Sequence, residues 1–336
     1  MDMRAVRVDE FGGPEVLVVR DAPDPVPGPG QVLVEVSGVN IIYLDTLIRS
    51  GLAGNHFPVT PPYVPGGGVS GRVVAGGPGT DPAWLGAEVV GETGEPDTAD
   101  DRARLPVGGY AERAVVHEDA LVRVPEGMNA ADALALMIDG ATALTLERAA
   151  RFTPDSWVLV LAATGGAGSL VVQLARLAGA RVIGAARGPE KLALARELGA
   201  EETVDYSEPG WVRRVAGITG NGADVVVDGA GGTLGTAAFA ATADGGRFVS
   251  YGTASGEFAQ VDEAEAERRG ITALGLFDLD PPDGAGHRDL VRLILEEARA
   301  GHVRPHVGLT LPLERAAEAH AALEGRRVLG KVLLVP

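Results

Sequence analysis

Short apolar runs that alternate with polar positions, broken by Gly and Pro, fill the first 125 residues. RAVRVDEF, VLVVRDAP, QVLVEVSGV, SGRVVAGG and YAERAVVH follow the two-residue period of half-buried strands, so this stretch predicts a β-rich, barrel-like unit. The polar segment EPDTADDRARLPVGG between two of these runs reads as a surface loop. From Asn129 the texture changes: NAADALALMIDGATALTLERAA has helical spacing, with Asn129 placed to cap it. Strand and helix patterns then alternate. SWVLVLAA precedes GSLVVQLARLAG, ARVIGAA precedes GPEKLALARELG, and ADVVVDGAG precedes TLGTAAFAATA, with GRFVSYGT and ITALGLF following. Apolar strands alternating with amphipathic helices predict a parallel, doubly wound sheet. The last stretch, a helix around RDLVRLILEEARAG, a strand VGLTLPL, a helix ERAAEAHAALE and a strand GKVLLVP, is expected to return to the β-rich unit. The expected fold class is α/β, with a doubly wound domain over residues 126–280 and a β-rich domain built from 1–125 and 281–336.

Composition narrows the chemistry. A formal charge of −17 lacks the cations that nucleic-acid binding needs, so no nucleic-acid partner is expected. The count of cysteines is zero, which removes disulfides, thiolate catalysis and thiolate-bound zinc together. No apolar run reaches the roughly 18–20 residues of a membrane span, and MDMRAVRVDEFGG lacks an apolar signal core. A cytoplasmic protein without a membrane partner is the expectation.

The stretch VLVLAATGGAGSLVVQLA joins an apolar strand to an apolar helix through a glycine-rich turn. Its spacing is Ala162-x-x-Gly165-x-x-Gly168, with Gly166 in addition, and not the usual G-x-G-x-x-G. Small residues there let the backbone approach a pyrophosphate, and the helix N-terminus supplies N–H groups and a partial positive charge. Because the turn follows the first strand of the alternating series, it predicts dinucleotide binding. The end of the second strand chooses the dinucleotide. An NAD site sets a carboxylate there for the ribose; this chain has Arg187, with Lys191 one helical turn later. Arg and Lys pair with a 2′-phosphate, and Tyr206 in TVDYSEPG adds a hydroxyl, so the cofactor expected is NADPH.

FGGPEVL, VNIIYLDTLIRSG, GGYAERAVV, MIDGATA, AATGGAG, GPEKLALARELGA, VDYSE, VSYGTASG and GRRVLGKVLLVP, in this order, span nearly the whole chain. Together they resemble the zinc-free quinone oxidoreductases, the zeta-crystallin-like branch of the medium-chain dehydrogenase/reductases. The resemblance implies a GroES-like catalytic domain split around an inserted Rossmann domain, and a homodimer. The strand near GRFVSYGT is expected at the sheet edge, where it would join a second copy. Carried over by motif, Asn40 lies near the nicotinamide and Thr142 close to the cofactor at the domain junction. Thr164, Gly165, Gly166 and Ala167 line the pyrophosphate, while Lys191 and Tyr206 meet the 2′-phosphate. Gly229 and Ala230 border the adenosine, and Tyr251, Gly252, Thr253 and Ser255 border the nicotinamide ribose. Leu276 and Phe277 present backbone groups to the carboxamide, and Arg326 reaches back to the cofactor.

Two departures from the family pattern stand out. Zinc-dependent relatives carry a Gly-His-Glu run where this chain has PGGGVSG, with donorless Gly67 and Gly68; His302 and His306 flank Pro305, which breaks their helical spacing. No metal is expected. The family also shows Asn-x-x-Asp before Ile-Arg-Ser-Gly, whereas Asn40 and Asp45 here are separated by two extra residues. Either the loop bulges, or Tyr43 takes the place of the aspartate at the substrate pocket. Tyr43, Asn40 and Asp45 are therefore the candidate catalytic residues, with Tyr43 a proton donor or a shaper of the pocket. The implied activity is NADPH-dependent hydride transfer to a small-molecule quinone or activated alkene. Two alternatives stay open: an enoyl-thioester reductase, in which Tyr43 or Tyr63 must replace a tyrosine missing at Ala53, and a non-catalytic NADPH-binding protein.

Overall fold

The computed structural model describes residues 2–54, 57–94, 104–279 and 286–336. In chain order, β1 (Asp2–Val8), β2 (Leu17–Pro23) and β3 (Gln31–Ile41) lead into α1 (Tyr43–Ser50), then β4 (Gly68–Gly76), β5 (Glu88–Thr93), β6 (Arg113–Arg123) and the long α2 (Ala130–Ala150). A second series follows: β7 (Trp157–Leu161), α3 (Gly166–Leu177), β8 (Arg181–Ala186), α4 (Pro189–Glu197), β9 (Glu202–Asp205), α5 (Trp211–Thr219) and β10 (Ala223–Asp228). It closes with α6 (Gly232–Ala240), β11 (Thr242–Ser250), α7 (Glu263–Arg269) and β12 (Thr272–Gly275). The C-terminal part comprises α8 (His287–Arg299), β13 (Val307–Pro312), α9 (Ala316–Glu324) and β14 (Lys331–Val335).

The chain divides into two compact units, Met1–Ile138 with Gly286–Arg299 and Pro305–Pro336, and Asp139–Ala285 with Ala300–Arg304. The change of unit falls inside α2, whose start is capped by Asn129: its Oδ1 accepts the Ala131 N–H at 2.8 Å.

In the first unit the strand order is β13-β14-β3-β4-β5-β6, and β6 pairs back onto β3, so the four strands from β3 to β6 close on themselves. The alternation read in the sequence is kept: Val32, Val34 and Val36 turn inward along β3 and join Val89, Val116 and Leu121 in one core. One strand has no clear alternating signature. β5 (EVVGET) contains Gly91, which reads as a breaker, yet a Cβ there would lie 2.9 Å from Val116 Cγ1 and 3.0 Å from Leu121 Cδ2. The glycine marks a crowded barrel interior and not a turn. The polar segment expected as a surface loop lies, over residues 95–103, outside the described residues.

The second unit is a six-stranded parallel sheet of order β12-β11-β10-β7-β8-β9, with the switch of direction between β7 and β10. Val158, Leu159, Val160 and Leu161 in β7 are all 0% exposed, as a strand covered by helices on both faces requires. β11, the strand around GRFVSYGT, is not at the edge: it pairs with β10 on one side and β12 on the other. The edge belongs to the four-residue β12, inside the run ITALGLF, whose pattern does not tell which strand it pairs with. No helix among the described residues is long and apolar enough to cross a membrane.

Candidate active site

The glycine turn after β7 has the geometry of a phosphate cradle. Ala162 adopts a left-handed backbone (φ 53°), a strain of about 1 kcal/mol for a residue with a Cβ, and its carbonyl accepts the Gly165 N–H at 2.8 Å. Gly165 caps α3, so the N–H groups of Gly166, Ala167 and Gly168 have no carbonyl within the helix to meet. A Cβ on Gly168 would lie 2.3 Å from the Ala162 oxygen, so the glycine lets the helix press against the strand end. Thr164 is buried beside it. The turn suits a dinucleotide diphosphate. Asp139, at the C-terminal half of α2, brings its carboxylate to the same place: an ideal Cβ on Gly166 would lie 2.2 Å from Asp139 Oδ2. Thr142, half-buried, follows on the same helix.

The ends of β8 and β9 lie side by side, joined by the Tyr206 N–H on the Ala186 carbonyl at 3.2 Å. Arg187 is exposed just past β8, and Lys191 occupies the first turn of α4. Asp205 ends β9, but its carboxylate is engaged: Oδ2 accepts the Gly188 N–H at 2.8 Å and Oδ1 the Ser207 N–H at 2.9 Å. These bonds and Arg187 outweigh partial burial and hold Asp205 below the usual carboxylate range.

The ends of β10 and β11 are tied by Asp228, which is 0% exposed. Its Oδ1 accepts the N–H groups of Ala230 and Gly231 at 2.9 and 3.0 Å, and its Oδ2 accepts the Ser250 hydroxyl at 2.9 Å. Burial raises the pKa of Asp228 against these bonds. Tyr251 lies over Gly229, where a Cβ would meet its hydroxyl at 2.6 Å, and burial pushes its phenol upward. Gly252 approaches the Gly229 carbonyl so closely that a Cβ would lie 2.2 Å away. The Ser255 N–H then closes on the Ala230 carbonyl at 2.7 Å, and Thr253 accepts the Gly256 N–H. After β12, Leu276 and Phe277 are exposed, at 38% and 74%, with Phe277 edge-on to Phe258 beside a pocket of about 350 Å³. The candidates from Thr164 to Phe277 thus share the carboxyl edge of one parallel sheet, where such sheets bind their ligands.

In the first unit, Asn40 stands at the end of β3 opposite Gly68 of β4 and Leu333 of β14. It is 1% exposed, and neither atom of its amide has a hydrogen-bond partner among the described residues. A buried amide left unsatisfied costs about 1–3 kcal/mol, so this one is available to a partner from outside the chain. The two extra residues make no bulge. β3 runs on through Ile41, Ile42 caps α1, and Tyr43 opens the helix half-buried, its carbonyl accepting the Thr46 hydroxyl at 2.7 Å. Asp45 is 2% exposed and caps its own helix, Oδ2 accepting the Ile42 N–H at 2.8 Å; burial, partly offset by this bond and by Lys331, raises its pKa to about 7. Arg326 is exposed in the turn after α9, with a left-handed backbone (φ 54°). Gly67 and Gly68 offer no donor to a metal, and a Cβ on Gly68 would lie 2.5 Å from Met137 Cε.

Around Asp45 lies a buried polar cluster that pattern reading passed over. Tyr110, 0% exposed, shares a 2.9 Å hydrogen bond with His320 Nε2, and Arg49 pairs with Glu324. Burial, then Arg49, lowers the His320 pKa to about 3, while burial and the Asp45 charge raise Tyr63 and Tyr110. Lys331, a lysine opening an apolar strand, joins the cluster at 5% exposure.

Two families match the chain: the alcohol dehydrogenase GroES-like domain over residues 28–126, and the zinc-binding dehydrogenase family over 166–283. A quinone oxidoreductase of Pseudomonas aeruginosa is 32% identical over 99% of both chains. A 2-haloacrylate reductase of a Burkholderia species is 31% identical over 100% of this chain and 99% of its own. Among solved structures, an NAD-dependent alcohol dehydrogenase is 37% identical with a TM-score of 0.87, covering 99% of this chain and 100% of its own. A mycobacterial protein complexed with NADPH is 31% identical, also at a TM-score of 0.87, over 99% of this chain and 100% of its own. Identity at this level along the whole of both chains, on a GroES-like barrel joined to a Rossmann sheet, makes this protein an oxidoreductase of the quinone oxidoreductase family in the medium-chain dehydrogenase/reductase superfamily.

Proposed function

We propose that the protein is an NADPH-dependent reductase of quinones or activated alkenes that works without zinc. The observation that carries the reading is the carboxyl edge of the parallel sheet. There a glycine cradle at Gly165–Gly168 is accompanied by Arg187 and Lys191, while Asp205, at the end of the neighbouring strand, is engaged by Gly188 and Ser207. Relatives of this fold are described with NAD or with NADPH, so the choice rests on those two cations. The 2-haloacrylate reductase among the relatives favours extending the substrates from quinones to alkenes polarised by a carbonyl.

When bound, the reduced nicotinamide supplies the hydride. The N–H groups of Gly166 and Ala167 bind the diphosphate, with Thr164 beside them; Arg187, Lys191 and Tyr206 bind the 2′-phosphate. Gly229 and Ala230 border the adenosine side. Thr142 and the Tyr251–Ser255 turn hold the nicotinamide ribose, and the backbone of Leu276 and Phe277 meets the carboxamide. Asn40 offers its unsatisfied amide to the nicotinamide end, and Arg326 folds back over the cofactor. A quinone takes its proton on oxygen from water, so no acid is required of the protein; an alkene takes one on carbon, for which Tyr43 is the candidate. The absence of donors at Gly67 and Gly68 supports zinc independence, and the absence of cysteine supports a cytoplasmic location. NADPH oxidation should be followed with a panel of quinones and enones, before and after dialysis against a chelator. Turnover that survives chelation is expected. NADPH binding with no turnover of any acceptor, or activity restored by zinc alone, overturns the reading.

A further inference from the structure

The Ile41–Ile42 peptide unit, one residue past Asn40, is gripped at both ends by buried ionisable side chains. Lys331 Nζ donates to the Ile41 carbonyl at 3.2 Å, and the N–H of that same peptide unit, on Ile42, donates to Asp45 Oδ2 at 2.8 Å. The two side chains are 5% and 2% exposed, and each lies within the other's field. They come from opposite ends of the sequence, Asp45 from the first turn of α1 and Lys331 from the start of β14. Arg49, Tyr63 and Tyr110 are the other ionisable groups felt at this point, with His320 and Glu324 behind them.

Removing a lysine and an aspartate from water is expensive, and a helix start can be capped by a single exposed Ser or Asp. The sheet explains why this place receives more. The β3–β4 ladder ends at Asn40 opposite Gly68, and the β3–β14 ladder ends at Ile41 opposite Val332. Beyond Asn40 the strand loses its neighbours one by one, and a peptide unit at a strand end is free to swing. A charge-assisted bond from Lys331 at its carbonyl and a bond from its N–H to the Asp45 carboxyl remove that freedom. The buried amide of Asn40, without a partner among the described residues, is separated from the gripped unit by the Asn40–Ile41 peptide unit alone.

We propose that Lys331 and Asp45 are positioning residues that hold the Ile41–Ile42 peptide unit and thereby fix the direction in which the Asn40 amide is presented to the nicotinamide. The proposal rests on the reading above in which Asn40 meets the nicotinamide.

The full-length protein tests it in a double-substitution cycle. Single-turnover hydride transfer from NADPH to 9,10-phenanthrenequinone is measured for Asn40→Ala, Lys331→Met and the combination. Lys331→Met is expected to slow transfer about 10- to 100-fold, the scale of an ångström-sized misplacement, and to add nothing once Asn40 is Ala. Binding gives a readout without turnover. The emission of bound NADPH in Lys331→Met should move to that of Asn40→Ala, while its dissociation constant stays within about threefold of wild type. Additive losses, or transfer at the wild-type rate in Lys331→Met, overturn the grip and leave the reading of Asn40 standing. Wild-type transfer in Asn40→Ala overturns that reading, and the grip with it. If Lys331→Met does not fold, Asp45→Asn and Asp45→Ala enter the same cycle. Asn still accepts the Ile42 N–H, so it should lose less than Ala; equal losses overturn the proposal.

Discussion

Asp45 and His320 titrate in opposite senses within one buried cluster. Burial keeps Asp45 protonated to about pH 7 in the folded chain, against 3.8 when exposed. The folded state therefore holds the extra proton between those values, and the Asp45 contribution to stability, full below 3.8, is lost as pH rises toward 7. His320 is lowered from 6.5 to about 3, so the unfolded state holds the extra proton, and its contribution is lost as pH falls from 6.5 toward 3. Between 3.8 and 6.5 the two slopes oppose each other. Relative to wild type, Asp45→Asn should therefore gain stability with rising pH across this window, and His320→Gln should lose it. Urea unfolding at a series of pH values checks both; curves parallel to wild type would mean that neither group titrates as a buried one. At the cradle, Gly168→Ala should cost roughly 1–3 kcal/mol, because its Cβ meets backbone at 2.3 Å and the strand cannot yield. Gly166→Ala meets the end of the Asp139 side chain, which can turn away, so it should be the milder of the two in thermal unfolding. Tyr43→Phe should leave quinone turnover within about threefold, whereas a loss of 10²–10⁴-fold with enones alone would make Tyr43 the proton donor.

In the proposed function the β8–α4 connection carries the choice of cofactor. A charge-assisted contact to the 2′-phosphate contributes roughly 1.5–3 kcal/mol, so Lys191→Ala should reduce the preference for NADPH over NADH by tenfold or more. Titration of both cofactors against wild type and variant measures it, and equal affinities in wild type would remove the basis of the assignment. The β7–α3 turn was legible because its signals are adjacent: apolar strand, small-residue turn, helix start. One strand and one edge were not. β5 was hidden by Gly91, whose missing side chain answers to Val116 and Leu121 far along the chain. β12 was read as ITALGLF, but nothing in its pattern tells which strand it pairs with, so β11 was expected at the edge although its neighbour on that side is Thr272–Gly275. Which strand is an edge depends on what pairs with it, and pairing is not a local property.

For the whole molecule, the exposed backbone of β12 beside the apolar Phe258 and Phe277 is a hazard in water unless another chain covers it. A homodimer joined through β12 is the expected outcome, and sedimentation equilibrium at micromolar concentration checks it. Ala273→Pro, which cannot donate to a strand laid alongside, should shift the population toward monomer. The fold class, the nucleotide turn and the two cations after the second strand were determined by the sequence alone. Each is encoded by residues within a few positions of one another, through period, turn chemistry and charge. Tertiary structure decided what Asp45 does. In the sequence it is an acid displaced by two residues from its usual spacing; in the fold it is a buried cap sharing one peptide unit with Lys331, whose bond to Ile41 spans 290 positions. A contact of that range leaves no periodic trace, because neither residue's neighbours along the chain respond to it. Only the closing of β14 onto β3 brings the two side chains to the same peptide unit.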